Sequence, residues 1–209
     1  MLDTAIGLMQ QGQTPSVSEV AEAAGVSRAT AYRYFPSQAA LVDAVVDAAL
    51  GPILNWSSDA SSAERRIDDL LATSMPRIEE FEATFRAALR LSLEQWAKRR
   101  AGTLGEEVPL QRGHRIDLVR DAIAPLRPVL PAETFDRLAK GLSLAFGVEA
   151  LVILKDLWGL DADETDAVVK WTAGALVRAA LAEGGKAPLK AAGEPRTGAE
   201  LVGPALGEG

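Results

Sequence analysis

The chain contains no cysteine among its 209 residues, and its only histidine is His114. The lack of thiols excludes disulfide bonds, thiolate metal sites and cysteine nucleophiles. A histidine base would need a nucleophile and an orienting acid at defined geometry, and no residue pattern indicates either. We therefore expect a protein that is not an enzyme, with no catalytic residue, no metal site and no cofactor.

Long apolar runs are lacking as well. The longest, residues 142–154, is interrupted by Ser143, Gly147 and Glu149, and it is shorter than the ~20 apolar residues that a membrane-spanning helix needs. The first residues show no basic region followed by an apolar stretch, so no secretory signal is predicted. The expectation is a cytoplasmic protein with no membrane partner.

Strand patterns are nearly absent, whereas apolar residues recur at helical spacing throughout the chain. The clearest stripe consists of Ile78, Phe81, Phe85, Leu89, Leu93 and Trp96. The sequence predicts an all-α fold, with Pro76 in the first turn of the helix that carries this stripe. Nine helices are expected, at about residues 2–11, 16–24, 27–34, 37–50, 61–75, 76–100, 112–125, 132–158 and 162–183.

Glycine and proline divide the chain into three regions. Gly51 and Pro52 end the first region, a head at residues 1–50. A helical body at 51–183 follows. Ten of the last 26 residues are glycine or proline and none is aromatic, a composition that cannot bury enough apolar surface to offset the entropy of ordering. Residues 184–209 are therefore predicted to form a disordered tail.

The head contains a segment, residues 16–38, whose pattern predicts two short helices joined by a turn. Ser16 and Ser27 stand where a side chain can cap each helix. Gly25 stands just past the first helix, where a left-handed backbone is needed. Two such helices with a short glycine-containing turn are the arrangement of a helix-turn-helix, whose second helix enters the DNA major groove.

The second helix of this segment carries side chains suited to DNA. Arg28 and Arg33 can each donate a bidentate pair of hydrogen bonds to guanine. The hydroxyls of Thr30, Tyr32 and Tyr34 can reach phosphates and set the register without reading sequence. The alternative is that residues 16–38 form a structural helix pair that never contacts DNA.

The segment resembles the TetR/AcrR family of repressors, whose signature runs Thr/Ser-Val-x-x-Ile/Val-Ala-x-x-Ala-Gly-Val-Ser-x-x-Thr-x-Tyr-x-Tyr/His-Phe-x-x-Lys-x-x-Leu. The chain matches it at Ser16, Val17, Val20, Ala21, Ala24, Gly25, Val26, Ser27, Thr30, Tyr32, Tyr34, Phe35 and Leu41. The resemblance extends through residues 41–50, which in such proteins link the head to the rest. The remaining chain resembles the family only in its pattern of helices, the last two of which are long.

The resemblance implies a homodimeric repressor that binds a palindromic operator in double-stranded DNA and is released by a small apolar or amphipathic effector. The body, 51–183, would then be an effector-binding and dimerisation domain, joined to the three-helix head by a linking helix. The predicted DNA-binding residues are Ser16, Ser27, Arg28, Ala29, Thr30, Tyr32, Arg33, Tyr34 and Gln38.

Two further sets of residues follow from the same resemblance. The effector pocket is predicted to include Met75, Phe81, Phe85, Arg90, Trp96, His114, Phe146, Glu149 and Trp158. The dimer interface is predicted to include Gly141, Ala145, Leu151, Trp171, Gly174, Val177 and Leu181. The alternatives are that the stripe at 78–96 is plain core, that Glu149 is paired with an arginine, and that the last two helices form a hairpin within one chain.

The charge of the head departs from that of typical relatives. The whole chain carries a net charge of −7, and residues 1–50 hold two basic side chains against five acidic ones. Gln38 replaces the usual phosphate-binding lysine, and the first helix is expected to start at Leu2. Either the true start lies further upstream, or the basic arm that precedes this helix in many relatives is missing. Weaker, less salt-dependent binding to the DNA backbone is predicted. The alternative function is a helical small-molecule-binding dimer whose acidic head serves as a protein-interaction module.

Overall fold

The computed structural model describes residues 1–110 and 113–184. The predicted tail lies outside the described residues, except for Gly184, which ends the last helix. Within the described residues the structure is helical with no strand, so the predicted all-α class is confirmed.

The described residues form ten α-helices, and short 3₁₀ turns at Gly51–Asn55 and Ala124–Leu126 separate some of them. A π-helical segment, Val152–Leu157, continues the ninth helix. The helices are α1 Leu2–Gln10, α2 Val17–Ala23, α3 Arg28–Tyr34, α4 Gln38–Leu50, α5 Ala63–Glu80, α6 Glu82–Arg100, α7 His114–Ala122, α8 Ala132–Ala145, α9 Val148–Leu151 and α10 Ala162–Gly184.

The predicted start of a helix at Pro76 is wrong. Pro76 lies inside α5, and the chain breaks instead at Phe81, which ends α5 and precedes α6. The helix continues past the proline because Met75 and Ile78, on either side of it, are both buried in the core. The stripe at 78–96 is therefore divided between two helices, and its last member, Trp96, is 61% exposed.

The predicted long helix at 132–158 is also interrupted. α8 ends at Ala145, and Gly147 has a φ of 115°, a backbone conformation that glycine adopts at little cost. α9 and its π-helical continuation follow this break. The sequence pattern missed it because the residues on both sides, Phe146 and Val148, are apolar and buried.

Two hydrophobic cores are present, and α4 contributes to both. Leu41, Val42 and Val45 pack in the head with α1, α2 and the middle of α6. Ala49, one turn further along α4, packs in the body, where α5, α7, α8, α9 and α10 meet. A displacement of α4 would therefore disturb the packing of head and body together.

Within the described residues no single helix has the length and apolar character of a membrane span. α3 joined to Gln38–Asn55 meets those criteria only as a pair bent by 64°.

Candidate nucleic-acid interface and effector cavity

α2 begins with a reciprocal pair of hydrogen bonds. The backbone N–H of Glu19 donates to Ser16 Oγ at 3.2 Å, and the backbone N–H of Ser16 donates to Glu19 Oε2 at 2.7 Å. This capping box satisfies two backbone donors that the helix itself leaves free. The hydrogen bond from the Ser16 backbone also lowers the pKa of Glu19. Ser16, one of the predicted DNA-binding residues, thus fixes where α2 starts.

The turn between α2 and α3 closes around Gly25. Its φ is 65°, and its backbone N–H donates to Glu22 O at 3.1 Å. The N–H of Val26 donates to Ala21 O at 2.9 Å. This pair of bonds is the Schellman arrangement, which satisfies the last carbonyls of α2 and turns the chain into α3.

α3 is held at its first turn by Ser27. The side chain of Ser27 accepts a hydrogen bond from the backbone N–H of Thr30 at 3.2 Å and donates to Thr30 Oγ1 at 2.9 Å. Ala31 is fully buried and orients the helix on the head. The predicted residues Arg28, Ala29, Tyr32, Arg33 and Tyr34 are all exposed, whereas Thr30 is half-buried.

The exposed side chains of α3 contact one another and α2. The hydroxyls of Tyr32 and Ser18 are 3.3 Å apart. The guanidinium of Arg33 lies over the ring of Tyr34, 5.3 Å from its centroid. Among the described residues Arg28 makes no ion pair, so its guanidinium is available to a partner.

The charge of the head is distributed unevenly. Both of its basic side chains, Arg28 and Arg33, are on α3, and none of its five acidic residues is on that helix. The surface of α3 is therefore positive although the head as a whole is acidic. One of the acidic residues, Asp47 of α4, faces the body, where it lies 2.8 Å from His114 Nε2.

Gln38 is used inside the head. Its Nε2 donates to the backbone oxygens of Thr14 and Pro15, at 3.0 and 3.1 Å. These bonds connect the first turn of α4 to the loop that leads into α2. A phosphate contact through the same side-chain N–H groups would have to replace them.

A cavity of about 100 Å³ lies where α4 meets the body. Of the predicted pocket residues, Phe85, His114 and Phe146 line it. The full lining consists of Val46, Leu50, Ile53, Ile78, Phe85, Ala88, Leu110, His114, Arg115, Leu118, Phe146, Gly147 and Val148. Val46 and Leu50 come from α4, so the cavity touches the helix that carries the head.

The other predicted pocket residues lie outside this lining. Met75 is buried in the body core, and Phe81 packs partly buried at the break between α5 and α6. Arg90 donates to Thr14 Oγ1 of the head. Trp96 and Trp158 are exposed. Glu149 accepts a hydrogen bond from Arg115 Nη2 at 2.5 Å, as expected for a carboxylate paired with an arginine.

Sequence reasoning missed Arg115 and the contribution of α4 to the cavity. The signal for α4 was its excess of apolar residues, which cover more than the one face that the head can bury. Those residues are Leu41, Val42, Val45, Val46 and Leu50.

The predicted dimer residues occupy two kinds of position. Leu151 and Val177 are fully buried in the core of their own chain, whereas Trp171 and Leu181 are exposed. The small residues Gly141 and Ala145 line an apolar groove between α8, α9 and α10. Its other lining residues are Leu144, Ala150, Ile153, Leu154, Val168, Val169, Thr172 and Leu176.

The family model for bacterial regulatory proteins of the tetR family matches residues 2–45. The match spans α1, α2, α3 and most of α4, and so includes the whole helix-turn-helix described above. No curated protein and no solved structure matches the chain. Residues 2–45 therefore carry a head similar to that of tetR-family regulatory proteins, and this match supports a DNA-binding transcriptional regulator.

Proposed function

We propose that the protein is a homodimeric repressor that binds a palindromic operator through α3 and is released by a small ligand in the cavity. The observation that carries the proposal is the exposed surface of α3. It presents both basic side chains of the head and both tyrosines of the whole chain on one capped helix.

On this proposal each exposed side chain of α3 has a defined task. Arg28 and Arg33 donate to guanine edges in the major groove, where each bidentate contact is worth about 1–3 kcal/mol of discrimination. Tyr32 and Tyr34 donate to phosphates and position the helix. Ala29 is small enough to allow close approach of the backbone to the bases.

The apolar groove and its surroundings support a two-fold dimer. Leu144 is 80% exposed and Trp171 is 71% exposed, and both lie on the surface formed by α8 and α10. Large exposed apolar groups in one region are typical of protein interfaces. Pairing of two chains here would hold two heads at a fixed distance, as half-sites separated by about 34–36 Å or a multiple of it require.

Contacts between α4 and the body support release by a ligand. Asp47 is held by His114, and the carbonyl of Ala48 accepts a hydrogen bond from Arg77 Nη2 at 3.1 Å. Both contacts lie on the part of α4 that lines the cavity through Val46 and Leu50. A ligand that binds better when α4 is displaced would lower the affinity for the operator. Bound operator would in turn lower the affinity for the ligand by the same factor.

A gel shift with the DNA that flanks the protein's own gene tests the proposal. We expect a specific complex that is lost in the double variant Arg28→Ala/Arg33→Ala. Arg65→Ala removes an exposed arginine from α5 in the body and serves as the matched control, which should bind like the wild type. A dimeric wild-type protein that forms no specific complex at low salt would instead favour the protein-interaction module.

A further inference from the structure

The two polar side chains that line the cavity are both nitrogen groups that can donate hydrogen bonds. Eleven of its thirteen lining residues are apolar or glycine, and the other two are His114 and Arg115, consecutive on α7. The acidic partners of these two, Asp47 and Glu149, are not among the lining residues. As far as the described residues go, a molecule in the cavity meets an imidazole and a guanidinium but no carboxylate.

Arg115 is held in a fixed orientation at the cavity wall. Its side chain is only 25% exposed, and it donates to Ser143 O at 2.9 Å and to Glu149 at 2.5 Å. It also packs against Gly147, where a Cβ atom would lie 2.5 Å from Nη2. A guanidinium has five donor hydrogens, so these two bonds leave donors for a further acceptor.

The volume limits the size of the occupant. Apolar cavities of about 150 Å³ in proteins hold benzene, whereas this one measures about 100 Å³ and is partly open to solvent. A short alkyl chain fits this volume, and a single ring fits if part of it, with its polar group, extends into the opening. A fused polycyclic ligand is too large.

We propose that the effector is a small carboxylate with a single ring or a short alkyl chain. Its apolar part lies in the cavity, and its carboxylate accepts hydrogen bonds from Arg115 and His114. This inference rests on the proposed role of the cavity as the effector site. Arginine suits a planar carboxylate because the two groups can form parallel charge-assisted hydrogen bonds.

The same contact would determine how the ligand acts on the head. A carboxylate bound to His114 competes with Asp47 for the same imidazole. Loss of the contact between His114 and Asp47 would remove an ion pair that holds this end of α4 against α7. The ligand therefore loosens α4, and operator affinity falls.

Calorimetric titration of the full chain with three probes of similar size tests the ligand class. The probes are phenylacetate, 2-phenylethanol and 2-phenylethylamine, which share the ring and differ in the polar group. We expect phenylacetate to bind at least about tenfold more tightly than the alcohol, a difference of 1.4 kcal/mol. The amine should bind more weakly than either.

Three variants show whether the preference arises at the proposed residues. His114→Gln and Arg115→Gln should each reduce the advantage of phenylacetate over the alcohol to less than about threefold, because each removes a charge-assisted donor. Arg120→Gln is the matched control, since Arg120 is on the same helix but pairs with Asp136 outside the cavity. If Arg115→Gln does not fold, His114→Gln decides the question, because its side chain is half-exposed.

The ligand class is overturned if the alcohol or amine binds as tightly as phenylacetate, if none of the probes binds at millimolar concentrations, or if both glutamine variants keep the full preference. Operator binding measured on the same samples distinguishes failure of the proposed ligand class from failure of the proposed repressor function. Phenylacetate binding without loss of operator affinity would support the ligand class and refute release by ligand. A carboxylate preference in a protein that binds no operator would support the ligand class and refute the repressor.

Discussion

At the scale of the residue, Gln38 has two candidate roles, a contact to a DNA phosphate and a hydrogen-bonding role inside the head. The TetR/AcrR signature has a phosphate-binding lysine at this position, yet the amide of Gln38 donates to the carbonyls of Thr14 and Pro15. The caps at Ser16 and Ser27 and the turn at Gly25 were predictable because each depends on hydrogen bonds between residues three to five positions apart. The bonds of Gln38 were not, because they join residues 23 and 24 positions apart.

We predict that Gln38→Ala destabilises the head. Two buried or half-buried hydrogen bonds are lost, each worth about 0.5–1.5 kcal/mol, so the free energy of unfolding should fall by about 1–3 kcal/mol. Urea unfolding measures this. Gln10→Ala, at an exposed position of α1, is the control and should change stability by less than about 0.5 kcal/mol. An unchanged stability combined with weaker DNA binding of unchanged salt dependence would show that Gln38 contacts phosphate instead.

At the scale of the helices, local pattern predicted which segments are helical but not where the long ones break. The interruptions at Phe81 and Gly147 depend on how α6 and α9 pack on the body, and flanking apolar residues conceal them in the sequence. At Pro76 the opposite error occurred. The preference of proline for the first turn of a helix predicted a helix start there, but core packing continues α5 through the proline.

Gly147 should not tolerate a side chain. With a φ of 115° and Arg115 Nη2 2.5 Å from the position of a Cβ, alanine would strain the backbone and displace the guanidinium. We expect Gly147→Ala to lower the free energy of unfolding by about 1–3 kcal/mol. Gly7→Ala in α1 is the opposite case, because nothing lies within 4 Å and alanine favours helix, so a gain of about 0.5–1 kcal/mol is expected. Thermal unfolding that ranks the two variants in the reverse order would contradict this account of the break.

A network of ion pairs ties the start of α6 to the π-helical segment. Arg86 bonds both Glu82, at 2.7 Å, and Asp156, at 2.6 Å, and Lys155 also bonds Glu82 at 2.9 Å. The hydrogen bond from Arg86 lowers the pKa of Asp156 below its ordinary 3.8. Burial acts to raise the pKa of Glu82, but hydrogen bonds from Lys155 and Arg86 outweigh it and hold the pKa below 4.5.

These shifts predict a response to acid. A carboxyl group whose pKa is lowered by folding stabilises the fold above its unfolded pKa, and this contribution is lost as the pH falls through the folded value. Arg86→Gln should therefore raise the pH at which half the protein is unfolded, measured by circular dichroism. Lys170→Gln, which breaks an isolated pair with Asp166, is the control and should move that midpoint less. Equal shifts in the two variants would show that the network adds nothing beyond a single surface pair.

At the scale of the whole molecule, α4 contributes to both cores and so connects the helix-turn-helix of the head to the cavity. The sequence predicted a linking helix from the family resemblance. Three of the nine predicted pocket residues line the cavity. Arg90 and Trp96 could not be placed from sequence, because the side of α6 that faces the body depends on the break at Phe81.

The proposed dimer surface predicts which exposed tryptophan matters for assembly. Trp171→Glu places a charge on the surface of α10 beside the groove and should convert the dimer to a monomer in analytical ultracentrifugation, because burying an unpaired carboxylate is costly. Trp96→Glu is the matched control, since Trp96 is nearly as exposed but lies on α6, and it should remain dimeric. Dissociation by the Trp96 variant alone would place the interface elsewhere.

The most direct test of DNA reading by α3 is selection of bound duplexes from a random-sequence library at low salt. We predict that the wild-type protein enriches a palindrome whose half-site centres are separated by about 34–36 Å or a multiple of it, as the proposed dimer requires. Arg28→Ala should enrich the same palindrome with relaxed preference at one base pair of each half. Failure of the wild-type protein to enrich any sequence, or an unchanged preference in Arg28→Ala, would contradict the account.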